Sequence, residues 1–200
     1  MNKFYKKVPK EVIVELPVKA FEGEIIIVED DSQIESIVNY LNNFKIIGFD
    51  TETRPSFKKG ERHQVALLQL ATDEKAFLFR LDKIGLHSDI IKILTNPDIV
   101  KTGVAIHDDL KALKSHTDFT PESFVELQTF VNDFGIDDNG LKKLTCNLLG
   151  FRISKKARLS NWEVDEYTEE QKKYAATDAW VSYEIYKLLS NINDNYEIVE

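Results

Sequence analysis

The chain has 200 residues, 42% hydrophobic and 30% charged, the composition of an ordinary globular protein that can bury a core without disulfides. Its net charge of −8 argues against a broad non-specific coat on nucleic acid, which needs many cations; it is compatible with a local acidic site where metal ions meet a phosphate. The single cysteine, Cys146, has no intrachain partner, no apolar run is long enough for a membrane span, and no secretory signal is visible, so a cytoplasmic protein is expected.

Residues 1–22 read as an N-terminal arm in which Val12, Val14 and Leu16 alternate with charges between Pro9 and Pro17. A domain is expected over 23–192, with 193–200 as a C-terminal tail. Glu24–Val28 is a β-branched run, and Asp30-Asp31-Ser32 then signals a helix start. Ile34, Ile37, Val38 and Leu41 keep helical spacing. Lys45–Asp50 is a short apolar strand ending in an acid, and 54–63 is a loop rich in Lys, Arg, Pro and Gly. Val65–Ala71 and Lys75–Arg80 are two apolar runs around Thr72-Asp73-Glu74, a hairpin signal. A helix around Ile90–Leu94 stops at Asn96-Pro97, a strand follows at Ile99–Val104, and Asp108–Lys114 reads as a helix. Phe124–Leu127 is a short buried segment, followed by helical pieces around Phe130 and Leu141–Leu149, the latter capped by Gly150. After a polar stretch, Arg152–Asn161, the last helix spans roughly Thr168–Leu189. Strands with a hairpin, then alternating helix and strand, indicate one mixed α/β sheet flanked by helices.

Chemistry concentrates in the acids. Asp50-Thr51-Glu52 ends a strand, where residues i and i+2 share a face, so two carboxylates project together. Side by side they repel, and a hard divalent cation such as Mg²⁺ or Mn²⁺ relieves them. Tyr174 and Asp178 are i and i+4 on a helix and address one point. Asp109 stands at a strand-to-helix junction, where α/β folds often place ligands, though an acid there can equally cap the helix. Each pattern alone is unspecific: roughly one Asp-x-Glu triplet is expected by chance in a chain of this composition.

Their order and surroundings are specific. Phe49-Asp50-Thr51-Glu52, then Gly103…Asp109…Leu113, then Tyr174-Ala175-Ala176-Thr177-Asp178-Ala179 resemble the three motifs of the DEDD exonuclease superfamily in its tyrosine-containing branch, over roughly residues 24–190. Val65–Leu70 and the run from Ser160-Asn161-Trp162 to Thr168–Tyr174 are similar to the Werner-type exonuclease domains of that branch. The resemblance implies a ribonuclease H-like fold and metal-dependent 3′-5′ hydrolysis of phosphodiester bonds at a DNA or RNA 3′ end, releasing nucleoside 5′-monophosphates. It implies two divalent cations, Mg²⁺ or Mn²⁺, with Asp50, Glu52, Asp109 and Asp178 as ligands and Tyr174 orienting the attacking water. The residue before the second-motif acid is usually small in these relatives and here is Asp108; the distance to Leu113 assigns the role to Asp109.

Around these acids, Thr51, His107, Arg158 and Trp162 are candidate substrate contacts. His107 could approach the phosphate or be a plain surface histidine. Arg158, with Lys155 and Lys156, could meet the backbone or belong to a solvated loop. Trp162 is either a stacking platform or a packing anchor. Lys58, Lys59 and Arg62 could form a second contact loop. Two other functions remain open: ribonuclease D-like trimming of RNA, and an inactive scaffold that binds nucleic acid or protein.

Overall fold

A computed structural model describes residues 2–58, 60–193 and 196–200. Its strands are β1 (Asn2–Tyr5), β2 (Glu24–Val28), β3 (Ile46–Thr53), β4 (Val65–Ala71), β5 (Lys75–Arg80), β6 (Val100–Gly103), β7 (Phe124–Glu126) and β8 (Tyr196–Val199). Its α-helices are α1 (Lys10–Glu15), α2 (Ile34–Leu41), α3 (Leu81–Ile84), α4 (Ser88–Leu94), α5 (Ile106–Leu113), α6 (Leu127–Phe130), α7 (Leu141–Leu144) and α8 (Glu169–Ser190). A π-helical turn, Thr145–Leu149, continues α7 to Gly150, whose φ of 71° accepts the left-handed cap.

Six strands form one sheet in the order β2-β5-β4-β3-β6-β7. The β3-β4-β5 neighbours are antiparallel, while β2 with β5, β3 with β6, and β6 with β7 are parallel. This is the expected mixed sheet. All seven residues of β4 are buried, because helices cover both faces of the sheet's centre.

Alternation along β3 sorts the two faces. Ile47 and Phe49 enter the large core with Ile34, Ile37 and Leu41 of α2, Ile90 and Ile93 of α4, and Leu113 of α5. Gly48, Asp50 and Glu52 face the other way, toward α8. That helix starts at a reciprocal cap, in which Thr168 Oγ1 accepts from the Gln171 N–H and Gln171 Oε1 accepts from the Thr168 N–H. It lies close to the sheet because the contact is made of small residues: Ala71 and Ala76 in the strands, Ala176 and Ala179 on the helix. Gly48 sits at the tightest point, where a Cβ would come 1.9 Å from the Ala179 carbonyl oxygen.

Three features differ from the sequence expectation. The strand expected to end at Asp50 continues to Thr53, with a register shift between Glu52 and Thr53, so the acids lie within the strand. Val12 and Val14, read as part of an arm without a helix, lie on α1, which buries no side chain. The segments read as arm and tail pair with each other, β1 parallel to β8. Phe4 joins the core of Leu127, Leu144, Ile185 and Leu189, and Asn147 is hydrogen-bonded to both backbone groups of Tyr5.

Gly48→Ala is expected to cost about 3 kcal/mol, since the added methyl meets main-chain atoms that cannot rotate away. Gly140→Ala, where a Cβ has open space, should change stability by less than about 1 kcal/mol. Urea unfolding of the two variants checks this; similar midpoints would contradict the tight contact.

Candidate active site

The close seating of α8 on β3 brings three carboxylates together. Asp50, Glu52 and Asp178 each present an oxygen within 4.8 Å of the others'. Asp178 is 7% exposed, and its Oδ1 is buried without a hydrogen-bond partner. An orphaned carboxylate oxygen aimed at two more carboxylates is a donor set for a hard cation. The residues present therefore fit a divalent metal ion.

Their electrostatics agree. Burial, then the charges of Asp178, Glu52 and Asp109, hold the Asp50 carboxyl well above the usual carboxylate range. Burial, followed by Asp178 and Asp109, pushes Glu52 up to about 9, against the pull of Arg158. Burial raises Asp178 to about 7, opposed by the Tyr174 hydroxyl and by Lys155. Tyr174 shares the face of Asp178 one helical turn away, and burial with the surrounding carboxylates raises its phenol, keeping it neutral.

Asp109 stands apart from this trio. It lies in the first turn of α5, and its Oδ1 accepts a short hydrogen bond, 2.5 Å, from Thr51 Oγ1. Thr51 thus spends its hydroxyl on positioning Asp109. Asp108 and His107 are exposed on the same turn. The start of α5 is fixed by Glu126, whose two carboxylate oxygens accept the N–H groups of Ala105 and Ile106 at 3.0 and 2.9 Å. Ala105 adopts a left-handed φ of 60°, a conformation that disfavours a residue with a Cβ. Gly103 permits the same turn: its Cβ would lie 2.7 Å from the Phe49 carbonyl oxygen. Sequence reasoning missed Glu126, because only the β6–β7 pairing brings it across to α5.

Arg158 is exposed, with its charge felt by Glu52, and Lys155 plays the same part toward Asp178. Trp162 requires a correction. It is 0% exposed and packed with Leu67, Leu78, Tyr167 and Ala175, so no base can stack on it. Its ring lies 6.1 Å from that of Tyr174, and its buried indole nitrogen has no hydrogen bond of good geometry, although it is close enough to Glu52 to favour the carboxylate. It packs beside Tyr174 and Glu52. Lys58 and Arg62 are exposed in the loop between β3 and β4; Lys59 falls outside the described residues.

Known proteins share this pattern. A family model described as 3′-5′ exonuclease matches residues 25–194. The chain is 35% identical over 193 residues to the bifunctional 3′-5′ exonuclease/ATP-dependent helicase WRN of Mus musculus, across 92% of this chain and 14% of that protein. It is 30% identical to a 3′-5′ exonuclease of Arabidopsis thaliana, across 74% of this chain and 54% of the relative. It therefore spans about half or less of these relatives. Among solved structures, the Nibbler EXO domain of Aedes aegypti superposes with a TM-score of 0.75 at 24% identity, covering 88% of this chain and 94% of that one. Escherichia coli RNase D gives 0.74 at 23% identity, covering 84% and 44%. The expected ribonuclease H-like fold is the fold of these neighbours.

Proton linkage gives a test of the acid cluster. The folded chain holds these protons more tightly than the unfolded chain, whose carboxyls titrate near 4. The stability this allows is complete below about pH 4 and is lost as pH rises through about 7 for Asp178 and about 9 for Glu52. In EDTA, raising the pH between about 5 and 9 should lower the unfolding temperature of the wild type more than that of Asp178→Asn. Added Mg²⁺ should raise the wild-type value most at the alkaline end. Parallel pH profiles for the two proteins would show that the acids are not coupled.

Proposed function

The chain belongs to the 3′-5′ exonuclease family, and from that premise we propose that it removes nucleotides one at a time from a nucleic-acid 3′ end by metal-dependent hydrolysis. The observation that carries this reading is the convergence of Asp50, Glu52 and Asp178 within 4.8 Å, beside a tyrosine held neutral. We assign it to the tyrosine-containing branch of the DEDD enzymes on Tyr174.

Asp50, Glu52 and Asp178 would hold one divalent cation, Mg²⁺ or Mn²⁺, and Asp50 with Asp109 would hold a second. When bound, the cations supply Lewis acidity to the scissile phosphate, a more acidic water, and charge stabilisation at the departing 3′-oxygen. The chain's own groups do the rest. Tyr174, as a neutral phenol, can accept or donate one hydrogen bond and orient the attacking water in line with the bond to be broken. Thr51 fixes the Asp109 carboxylate. Arg158, exposed at the rim, meets a backbone phosphate. Water adds to phosphorus, the bond to the 3′-oxygen breaks, and the products are a nucleoside 5′-monophosphate and a strand one residue shorter with a free 3′-hydroxyl.

A second reading, ribonuclease D-like RNA trimming, is favoured by the likeness to the E. coli enzyme, described as an exoribonuclease involved in structured RNA processing. Strands of DNA and RNA labelled at the 5′ end separate the two by their rates.

Shortening of the strand is expected with Mg²⁺ or Mn²⁺ and not with EDTA. Asp178→Asn and Asp109→Ala should each lower kcat by on the order of 10²–10³-fold. Tyr174→Phe should lower it by about 10²-fold while leaving metal affinity unchanged. Asp108→Ala, on the exposed side of the turn, should retain full activity. Metal-dependent shortening of neither polymer, or loss at Asp108 with none at Asp109, would contradict this assignment.

A further inference from the structure

The strand beside β3 carries one polar residue. β4 reads Val-Ala-Leu-Leu-Gln-Leu-Ala, and its glutamine, Gln69, is fully buried. Neither of its amide atoms has a hydrogen-bond partner among the described residues. Its place in the ladder is specific, for Gln69 is the direct antiparallel partner of Asp50. Opposed residues project to the same face with Cβ atoms about 5 Å apart. Gln69 therefore lies on the α8 side, beside an acid of the cluster. Its neighbours along β4 agree: Leu67 packs with Ala175, and Ala71 with Ala176 and Ala179.

Packing alone would favour leucine or methionine at this position. A buried amide without partners has given up its hydration and gains no hydrogen bond in return. The opposed side chain supplies a use for it. A carboxylate that ligates a metal keeps its orientation through hydrogen bonds to its remaining lone pairs. The glutamine amide nitrogen is a suitable donor, and the side chain is long enough to address the facing strand. A lysine there would neutralise the acids and compete with a cation; glutamine donates without a charge.

Building on the metal-dependent exonuclease reading, we propose that Gln69 is a positioning residue, whose amide nitrogen donates to the Asp50 carboxylate in the metal-loaded site and holds it in its ligating orientation. Asp50 is the acid assigned to both cations, so its orientation bears on each. The amide that is unpaired in the free chain is used in the loaded one.

Gln69→Leu keeps the volume and removes the amide. In EDTA its unfolding temperature should equal or exceed that of wild type, because an unpaired buried amide gives way to an apolar group of similar size. By calorimetric titration its affinity for Mn²⁺ should fall by about tenfold or more. The Mg²⁺ concentration for half-maximal strand shortening should rise by a similar factor. Thr102→Val is the control. It removes another buried polar atom without a partner among the described residues, opposite Gly48 and thus two residues along β3 from Asp50, and should leave Mn²⁺ affinity unchanged. If Gln69→Leu does not fold, Gln69→Met, unbranched like glutamine, carries the same comparison. Wild-type affinity in the Gln69 variant, or an equal loss in Thr102→Val, overturns the positioning role. A lower unfolding temperature in EDTA assigns the amide to the fold of the free chain and overturns it too. A wild type that binds Mn²⁺ yet shortens no strand overturns the exonuclease reading, and the affinity comparison still decides Gln69. A wild type that binds no Mn²⁺ overturns both.

Discussion

Everything at the acid site depends on how near α8 can come to β3. Gly48 and the alanines on both sides of that contact remove the bulk that would hold helix and strand apart. Asp178 is therefore driven against Asp50 and Glu52. At the observed spacing of up to 4.8 Å, each ionised pair repels by roughly 3 kcal/mol in a medium of effective dielectric about 20. Packing elsewhere sustains that repulsion in the free chain, and protons or cations relieve it. A site that is uncomfortable when empty binds a cation with more of its own folding energy behind it.

The two faces of β3 divide the work. Asp50 and Glu52 point to α8, whereas the intervening Thr51 fixes Asp109 on α5. One strand thereby addresses two helices that approach it from different layers, and its two-residue period sets which acid meets which partner. The left-handed turn at Ala105 and the double capping by Glu126 fix α5 at its first residue, so Asp109 inherits its position from β7, the far edge of the sheet. Trp162 supplies the remaining support, packed against Tyr174 and beside Glu52. These devices lie outside the acid motifs themselves.

Elements with strong local signals were legible from sequence. The β4–β5 hairpin agrees with its apolar runs residue for residue, and the Thr168–Gln171 cap marks the start of α8. The three motifs pointed to acids that the fold then gathers or, for Asp109, places alongside. What escaped was set by tertiary contact. Val12 and Val14 alternate with charges, yet the segment from Lys10 to Glu15 coils into α1. The extension of β3 beyond Asp50 follows from its pairing with Val65–Ala71, which local composition does not reveal. Trp162 reads as anchor or platform from sequence, and the packing around it makes it an anchor. The carboxylate of Glu126 caps its own helix through the Gln128 N–H, but nothing local marks its hold on α5, whose backbone groups lie 20 and 21 residues away.

The pairing of the two ends has a mechanical consequence. Because β1 and β8 run in the same direction, with Asn2 beside Tyr196 and Tyr5 beside Val199, tension between the termini pulls the strands past one another along their axes. Their hydrogen bonds are then loaded together and must yield as a group, not one after another as in unzipping. The ladder also lies against the core through Phe4. This small sheet therefore acts as a shear clasp, shielding the catalytic sheet from forces transmitted along the polypeptide.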